Sequence, residues 1–467
     1  MRDGIVALMI ISMFPVCFRK PFLGLALFSL MAYMRVQDLT WGFARYLRWS
    51  FYIAIITFAG FVAMKGKKQF MQNDIRCWIM VALAVVIALG LIFSGEAHPR
   101  DLKNLTEFGK IVGIAVFTTG IIVRRDHLRV MMWVIAGSFG FYGVKNGLAG
   151  ILSGGNLHIL QGPGGMMADN NDFAMALCMG LPLLFHIALS EKSALIRRVM
   201  LVMVPLTMIT IVLTHSRGAF LAMSCTVFTL IWRSKNRVGG IVAGLLLVVA
   251  GVMLAPESYR NRLGTLQEVE KDGSAMGRLA AWATALEMIK GNPILGVGFA
   301  HFEQNYETYD PARKEGGHGT GSRVAHNSYL QIWAECGTPA FLMYLSLIAL
   351  SFVEVWRVRK EARHRFNASW ILNYCTMYEA SMVAFSVGAM FLNRAHFDLF
   401  YHMVAIVACF GRIAREEMNA GQVYNAQAGQ RGTLVPAVQP GFGPHRKGRV
   451  TQRSGVGFRN TPLIGGA

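Results

Sequence analysis

Pro256-Glu257-Ser258-Tyr259-Arg260 opens a polar stretch that continues through Asp272-Gly273-Ser274-Ala275-Met276-Gly277-Arg278 and closes at Ala325-His326-Asn327-Ser328. Within it, Leu279, Trp282, Ala283, Leu286 and Ile289 recur at helical spacing and predict an amphipathic helix over 278–289. Gly291-Asn292-Pro293 stops that helix, and Gly296-Val297-Gly298-Phe299 makes a tight connection. Behind the polar stretch, residues 329–352 are mostly apolar and numerous enough to cross a bilayer. The rest of the chain is expected to hold this loop at one membrane face.

Composition supports that expectation. Hydrophobic residues make up 54% of the 467, charged residues only 15%, and mean hydropathy is +0.41. A soluble chain of this length carries more charge. Here the charge is gathered in short clusters between long apolar runs, the pattern of a multi-span membrane protein. The net charge of +20 does not indicate nucleic acid, because Lys and Arg are spread over inter-helix clusters and the tail rather than one soluble domain. Cys17, Cys77, Cys178, Cys225, Cys336, Cys375 and Cys409 are odd in number and lack C-x-x-C spacing, so they read as small apolar side chains. The segment 4–18 ends in Arg19-Lys20-Pro21 without a small-residue cleavage site, and is expected to be retained.

Apolar runs at about 4–18, 21–34, 46–64, 75–94, 108–123, 128–150, 171–189, 196–214, 218–232, 238–254, 328–353, 373–393 and 396–413 predict an all-α polytopic protein of about twelve or thirteen spans. The first two are short and fit a helical hairpin or one interrupted element. Basic clusters at Arg19-Lys20, Lys65-Gly66-Lys67-Lys68, Arg124-Arg125, Arg197-Arg198, Arg233-Ser234-Lys235 and Arg357-Val358-Arg359-Lys360 fall on every second connection. By the positive-inside rule that side is cytoplasmic, and the loop then lies outside, in the periplasm if the cell is Gram-negative. Four regions follow: a first bundle at 1–254, the loop at 255–327, further spans at 328–413, and a Gly-, Pro-, Gln- and Arg-rich tail at 414–467 that reads as disordered and basic.

Several residues on the loop side could carry chemistry. Arg217, in Thr214-His215-Ser216-Arg217-Gly218, either snorkels to headgroups or binds an anion on a side where basic residues are disfavoured. Arg278 opens the expected helix, where the dipole prefers an anion, so a bound anion or a neighbouring Glu270 or Asp272 would resolve the conflict. His326 stands at the mouth of the following span, with Asn327 or Ser328 able to cap it, and suits proton transfer near neutral pH. Gln331 and Glu335 lie one turn apart along that span, and an acid there is costly unless paired or used. Asp169 and Asp172 read more readily as helix caps than as metal ligands, and His318 as a loop residue. Two arginines suit a diphosphate, and a base suits activation of a hydroxyl.

These residues also resemble a known family. Arg278-x-x-x-Trp282 with Pro293-x-x-Gly296-x-Gly298, then His326-Asn327-x-x-Leu330 with Glu335-x-Gly337, is similar to the domain shared by O-antigen ligases, O-antigen polymerases and bacterial protein O-oligosaccharyltransferases. Ser216-Arg217-Gly218 matches that family's upstream arginine turn. Arg19-Lys20-Pro21-Phe22, Leu39-Thr40-Trp41-Gly42, Gly140-Phe141-Tyr142-Gly143 and Ala168-Asp169-Asn170-Asn171 resemble the branch of O-glycosylation ligases associated with exosortase A systems. Ala340 departs from the pattern, which usually has Gly there.

The resemblance implies a C-type glycosyltransferase architecture. It also implies metal-independent, inverting transfer of glycan from undecaprenyl diphosphate to a hydroxyl of protein, lipid or polysaccharide, with no cofactor. On motif position His326 would be the base, and Arg217 and Arg278 would bind the diphosphate. Arg394, His396, Lys145 and Asp169 are further candidates on the same face. The rivals are a transporter or flippase for lipid-linked glycan, which needs charge deep within several spans, and a structural subunit of an export complex.

Overall fold

The computed structural model describes residues 2–65, 69–93, 99–234, 236–242, 273–314, 321–363 and 369–430. The chain divides into two units, Met1–Met418 and Asn419–Ala467, and residues 419–430 of the second are helical.

The first unit is an all-α polytopic membrane protein. A helix covers each apolar run except 238–254, most of which lies outside the described residues. In chain order these are α1 (Arg2–Arg19), α2 (Pro21–Tyr33), α3 (Phe43–Tyr46), α4 (Trp49–Ala63), α5 (Ile75–Phe93), α6 (Pro99–Ile121), α7 (Arg125–Leu152), α8 (Asn170–Ser190), α9 (Ala194–Leu213) and α10 (Arg217–Arg233). They are followed by α11 (Gly273–Gly291), α12 (Phe302–Tyr309), α13 (Pro311–Lys314), α14 (Ser328–Ala362), α15 (Ser369–Gly388) and α16 (Asp398–Gln430). Among the described residues α5, α8, α9 and α14 are each long and apolar enough to cross a membrane. One short antiparallel ribbon, Gln161–Gly164 with Met167–Asp169, precedes α8.

The first two runs form a hairpin. Asp3 at the start of α1 accepts from the backbone N–H groups of Gly42 and Ala44, just beyond the far end of α2. At the centre, α8 packs against α7, α9, α10 and α15. Both α8 and the first half of α16 are almost wholly buried, so their side chains are apolar all round.

Basic clusters from separate connections meet at one end of the bundle. Arg233 and Arg359 both pair with Glu379, and the Arg125 guanidinium lies 4.4 Å from the centre of the Trp370 ring. Arg415 reaches Glu354 at 2.8 Å beside them. The ribbon, the start of α10 and the start of α14 lie at the other helix ends.

The loop helix departs from the expectation in its start and in its inward face. The loop helix starts at Gly273, so Arg278 lies in its second turn and not at its first residue. Its protein-facing side is Ala281, Thr284, Ala285, Met288 and Ile289, while Leu279, Ala283 and Leu286 face outward. Small residues win the inner face because α14 presents Leu330, Trp333 and Ala334 there, and alanines let the two helices approach closely. The stretch read as the start of a disordered tail is helical to Gln430; no proline interrupts it before Pro436. The rest of that tail, together with His318, Glu270 and Asp272, lies outside the described residues.

Candidate functional site

Three helices begin in one neighbourhood, each with a polar cap. Asp169 accepts from the Asn171 N–H at 2.8 Å at the head of α8. Ser216 accepts from the Ala219 N–H at 3.3 Å at the head of α10. Asn327 accepts from the N–H groups of Tyr329 and Leu330, at 3.0 and 3.2 Å, at the head of α14. Such residues take up backbone donors that the helix itself leaves unused.

Short links join these three heads. The Asn170 amide donates to the Thr214 carbonyl at 3.0 Å, tying α8 to the turn before α10. Gly218 backs so closely onto Phe391 that an added Cβ would lie 2.4 Å from the Phe391 Cβ. Ser328 donates through its N–H to the Ala389 carbonyl and through its hydroxyl to the Leu392 carbonyl, and accepts from the Arg394 N–H at 3.0 Å. Arg394 then donates to the buried Asp172 at 2.6 Å. The positive ends of three helix dipoles therefore sit together, with Arg217 as the first residue of α10.

The loop helix delivers the remaining groups. The Trp282 indole N–H donates to the Ala325 carbonyl at 3.0 Å, which fixes the residue before His326. Arg278 stands one turn earlier on the same face of α11, so the Arg-x-x-x-Trp spacing places a cation beside the histidine. Arg323 lies against Gly277, where a Cβ would meet its Nη1 at 2.2 Å. His326 has a left-handed backbone, φ 47°. Burial above all, then Arg278 and to a smaller degree Arg323, hold its imidazole below the ordinary value, against an upward pull from Asp169. Such a histidine is neutral, and able to accept a proton, at neutral pH.

A backbone clamp supports this arrangement. The helix α14 breaks at Gly337, whose φ is 78°. Across the break, Thr338 N–H donates to the Pro293 carbonyl at 2.8 Å, Val297 N–H to Ala334 at 2.9 Å, and Gly298 N–H to Glu335 at 3.0 Å. A Cβ at Gly296 would fall 2.3 Å from the Glu335 carbonyl carbon, and one at Gly337 would fall 2.0 Å from the Ile294 oxygen. The Pro-x-x-Gly-x-Gly and Glu-x-Gly motifs are thus two halves of one contact, with glycine required on both sides. The buried Glu335 carboxylate accepts from the backbone N–H groups of Ala300 and Phe302 and from Gln331. Gln331 accepts in turn from the Ala395 N–H at 3.1 Å. Glu335 and Gln331 therefore fasten both loop segments to the span that starts beside His326. His301 adds a tie to Asp101 of α6 at 2.9 Å.

His326, Arg278, Asp169, Arg217 and Arg394 are brought into this neighbourhood, Arg394 as the partner of Asp172. Two further candidates lie differently. His396 turns inward: its ring packs 5.6 Å from Phe299 and shares a small internal cavity with Glu335, Phe108 and Tyr401. Lys145 is an exposed side chain of α7, and no hydrogen bond or ion pair joins it to the cluster among the described residues. Arg323 was not anticipated, since its short loop gives no periodicity to place it.

Trp282→Phe keeps the ring and removes the donor to Ala325. It is expected to cost about 1 kcal/mol of loop stability and to lower kcat with little change in donor KM. Unaltered turnover would mean that His326 is positioned without that bond.

Residues 200–345 match the family model of O-antigen ligase, a span that contains Arg217, Arg278, Arg323 and His326. Residues 1–192 match a family of unknown function. No curated protein matches the chain. The O-antigen ligase match supports a glycan-transferring, ligase-like enzyme set in a membrane and supplied by a lipid-linked glycan.

Proposed function

We propose that the chain transfers a glycan from undecaprenyl diphosphate to an acceptor hydroxyl at the periplasmic face of the bacterial inner membrane, without a metal and with inversion at the anomeric carbon. One arrangement carries the reading: a half-buried histidine flanked by Arg278 and Arg323, next to three capped helix heads, the second of them opened by Arg217. Helix N-termini and guanidinium groups both favour phosphate oxygens.

In this mechanism His326 removes the acceptor proton as the hydroxyl oxygen attacks the anomeric carbon. The bond from that carbon to the phosphate oxygen breaks, and its electron pair leaves with undecaprenyl diphosphate. Arg217 and Arg278 neutralise the charge that develops there. The diphosphate needs no proton to leave, so the site needs a base but no acid. Asp169 faces the imidazole and stabilises the imidazolium that forms. The resemblance to the exosortase-associated branch favours a protein or exopolysaccharide acceptor over lipid.

Purified protein in detergent, given undecaprenyl-diphosphate-linked glycan and an envelope extract in the presence of EDTA, tests the reading. Wild type is expected to release undecaprenyl diphosphate; no release under any acceptor supply would favour the transporter. Arg217→Ala and Arg278→Ala are each expected to lose about 1.5–3 kcal/mol of binding to the diphosphate, roughly 10–100-fold in kcat/KM, as for other charged hydrogen bonds. Wild-type rates in both would end the diphosphate role.

The pH dependence follows from the depressed imidazole. Since His326 acts neutral and its pKa lies below the ordinary value, kcat/KM is expected to be flat at neutral pH and to fall as pH drops through that lower value. Arg278→Ala removes a downward influence, so the acid limb should move to higher pH. An acid limb unmoved by that change would separate it from His326.

A further inference from the structure

Glycine weakens a helix interior relative to alanine, yet Gly277 stands in the second turn of α11. Its surroundings account for it. The three atoms nearest to a Cβ built there all belong to the Arg323 guanidinium group: Nη1 at 2.2 Å, Cζ at 3.2 Å and Nε at 3.9 Å. The missing side chain is a notch in the helix, and an arginine from the loop before α14 lies in it. Two bonds hold that loop in place. Ser322 donates to the Glu303 carbonyl at 2.9 Å, and past Arg323 the Ala325 carbonyl accepts from Trp282 at 3.0 Å. Ala281, one turn after Gly277, belongs to the same buried cluster as Ala325, so small residues on this side of α11 let the loop lie close.

Arg278 is the next residue along α11. After burial, the guanidinium groups of Arg278 and then Arg323 hold the His326 imidazole down, so both lie within electrostatic reach of it. The notch gives up helix propensity and sets a second guanidinium beside the first, close to the base. The leaving group supplies a use for it. In the donor the diphosphate is a diester with one charge on each phosphate. Once the glycan has left, the terminal phosphate is a monoester with a second pKa of about 6, and gains about one further charge at neutral pH. Arg217 and Arg278 match the two charges of the donor. The third charge develops only as the bond to the anomeric carbon breaks, and a cation placed for it favours the transition state over the bound donor.

We propose that Arg323, seated in the Gly277 notch, is a further substrate-binding residue that grips the terminal phosphate as its extra charge develops. This assignment rests on the transfer reading above and adds a third cation to it.

Binding to the purified full chain, without acceptor, of undecaprenyl diphosphate and of the same lipid carrying its glycan tests it with no turnover. Arg323→Ala is expected to weaken undecaprenyl diphosphate about 10-fold, the low end for a charged hydrogen bond because Arg323 is exposed, and to leave the glycan-linked donor nearly unchanged. Gly277→Ala keeps every charge but fills the notch, so it is expected to weaken undecaprenyl diphosphate as well while the thermal midpoint holds or rises, since alanine favours the helix. The double variant should bind no worse than Arg323→Ala alone, because the methyl group acts only through the arginine. Wild-type binding of undecaprenyl diphosphate by Arg323→Ala overturns the proposal. So does an additive double variant, or a loss confined to the glycan-linked donor, which would mean that Arg323 reads the glycan. If wild type binds undecaprenyl diphosphate through Arg323 and still transfers no glycan, the contact stands and the reaction falls; if wild type binds neither lipid, both fall.

Discussion

His326→Ala is expected to lower undecaprenyl diphosphate release by about 10²–10⁴-fold while the protein stays folded in the membrane, the range by which a positioned base accelerates proton transfer. The side chain is only half-buried, and the residues that fix its neighbourhood bond through other atoms: Trp282 to the Ala325 carbonyl, Asn327 to the first N–H groups of α14. Its removal leaves those ties intact. The backbone is the one complication, because φ at 326 is 47°, and alanine in the left-handed region costs about 1–2 kcal/mol. Asparagine tolerates that region, so His326→Asn separates the two effects. Loss in both variants with unchanged thermal midpoints identifies the imidazole as the requirement. Activity retained by His326→Asn would assign the residue to the turn and remove it from the chemistry.

Gly337→Ala is expected to be the most damaging single methyl in the described part of the site. A left-handed φ of 78° costs an L-residue about 1–2 kcal/mol. The new Cβ would also lie 2.0 Å from the Ile294 carbonyl oxygen and 2.3 Å from its carbon. Both are backbone atoms, so no side chain can swing away, and overpacking of this kind costs about 1–3 kcal/mol more. The strain would be relieved by lifting 293–298 off the span, which breaks the bonds from Thr338, Val297 and Gly298 and draws Arg278 away from His326. A lower thermal midpoint in detergent, earlier proteolysis between residues 291 and 302, and loss of transfer should appear together. Gly109→Ala is the control, since a Cβ there meets nothing within 4 Å and alanine favours the helix. Equal stability of Gly337→Ala and wild type would show that the clamp is not closed as described.

Much of the site was legible because its signals are local. The Gly291-Asn292-Pro293 stop, the caps at Asp169 and Asn327, and the Arg278–Trp282 spacing each depend on residues within a turn of one another. The burial of His396 was not legible, for the opposite reason. Nothing in Asn393-Arg394-Ala395-His396 says which side chain turns inward; that follows from Ser328 and Gln331, distant in sequence, which hold the backbone of this segment. The face of α11 was misjudged because apolar periodicity ranks side chains by size. The partner helix instead selected the alanines that let it come close. Arg323 lies in a loop, where no periodicity exists to mark it.

By itself the sequence determined that the chain is helical and membrane-embedded, since apolar runs of bilayer length have no other stable solution. It also determined where the caps, breaks and clustered basic residues fall, because each is a property of a few neighbouring residues. Only the tertiary structure decided which of the scattered charges meet. The heads of α8, α10 and α14 are brought together by contacts between segments far apart in the chain, from Asn170 to Thr214, Gly218 to Phe391 and Ser328 to Arg394. Backbone bonds and glycine contacts of that kind depend on geometry that no periodicity records.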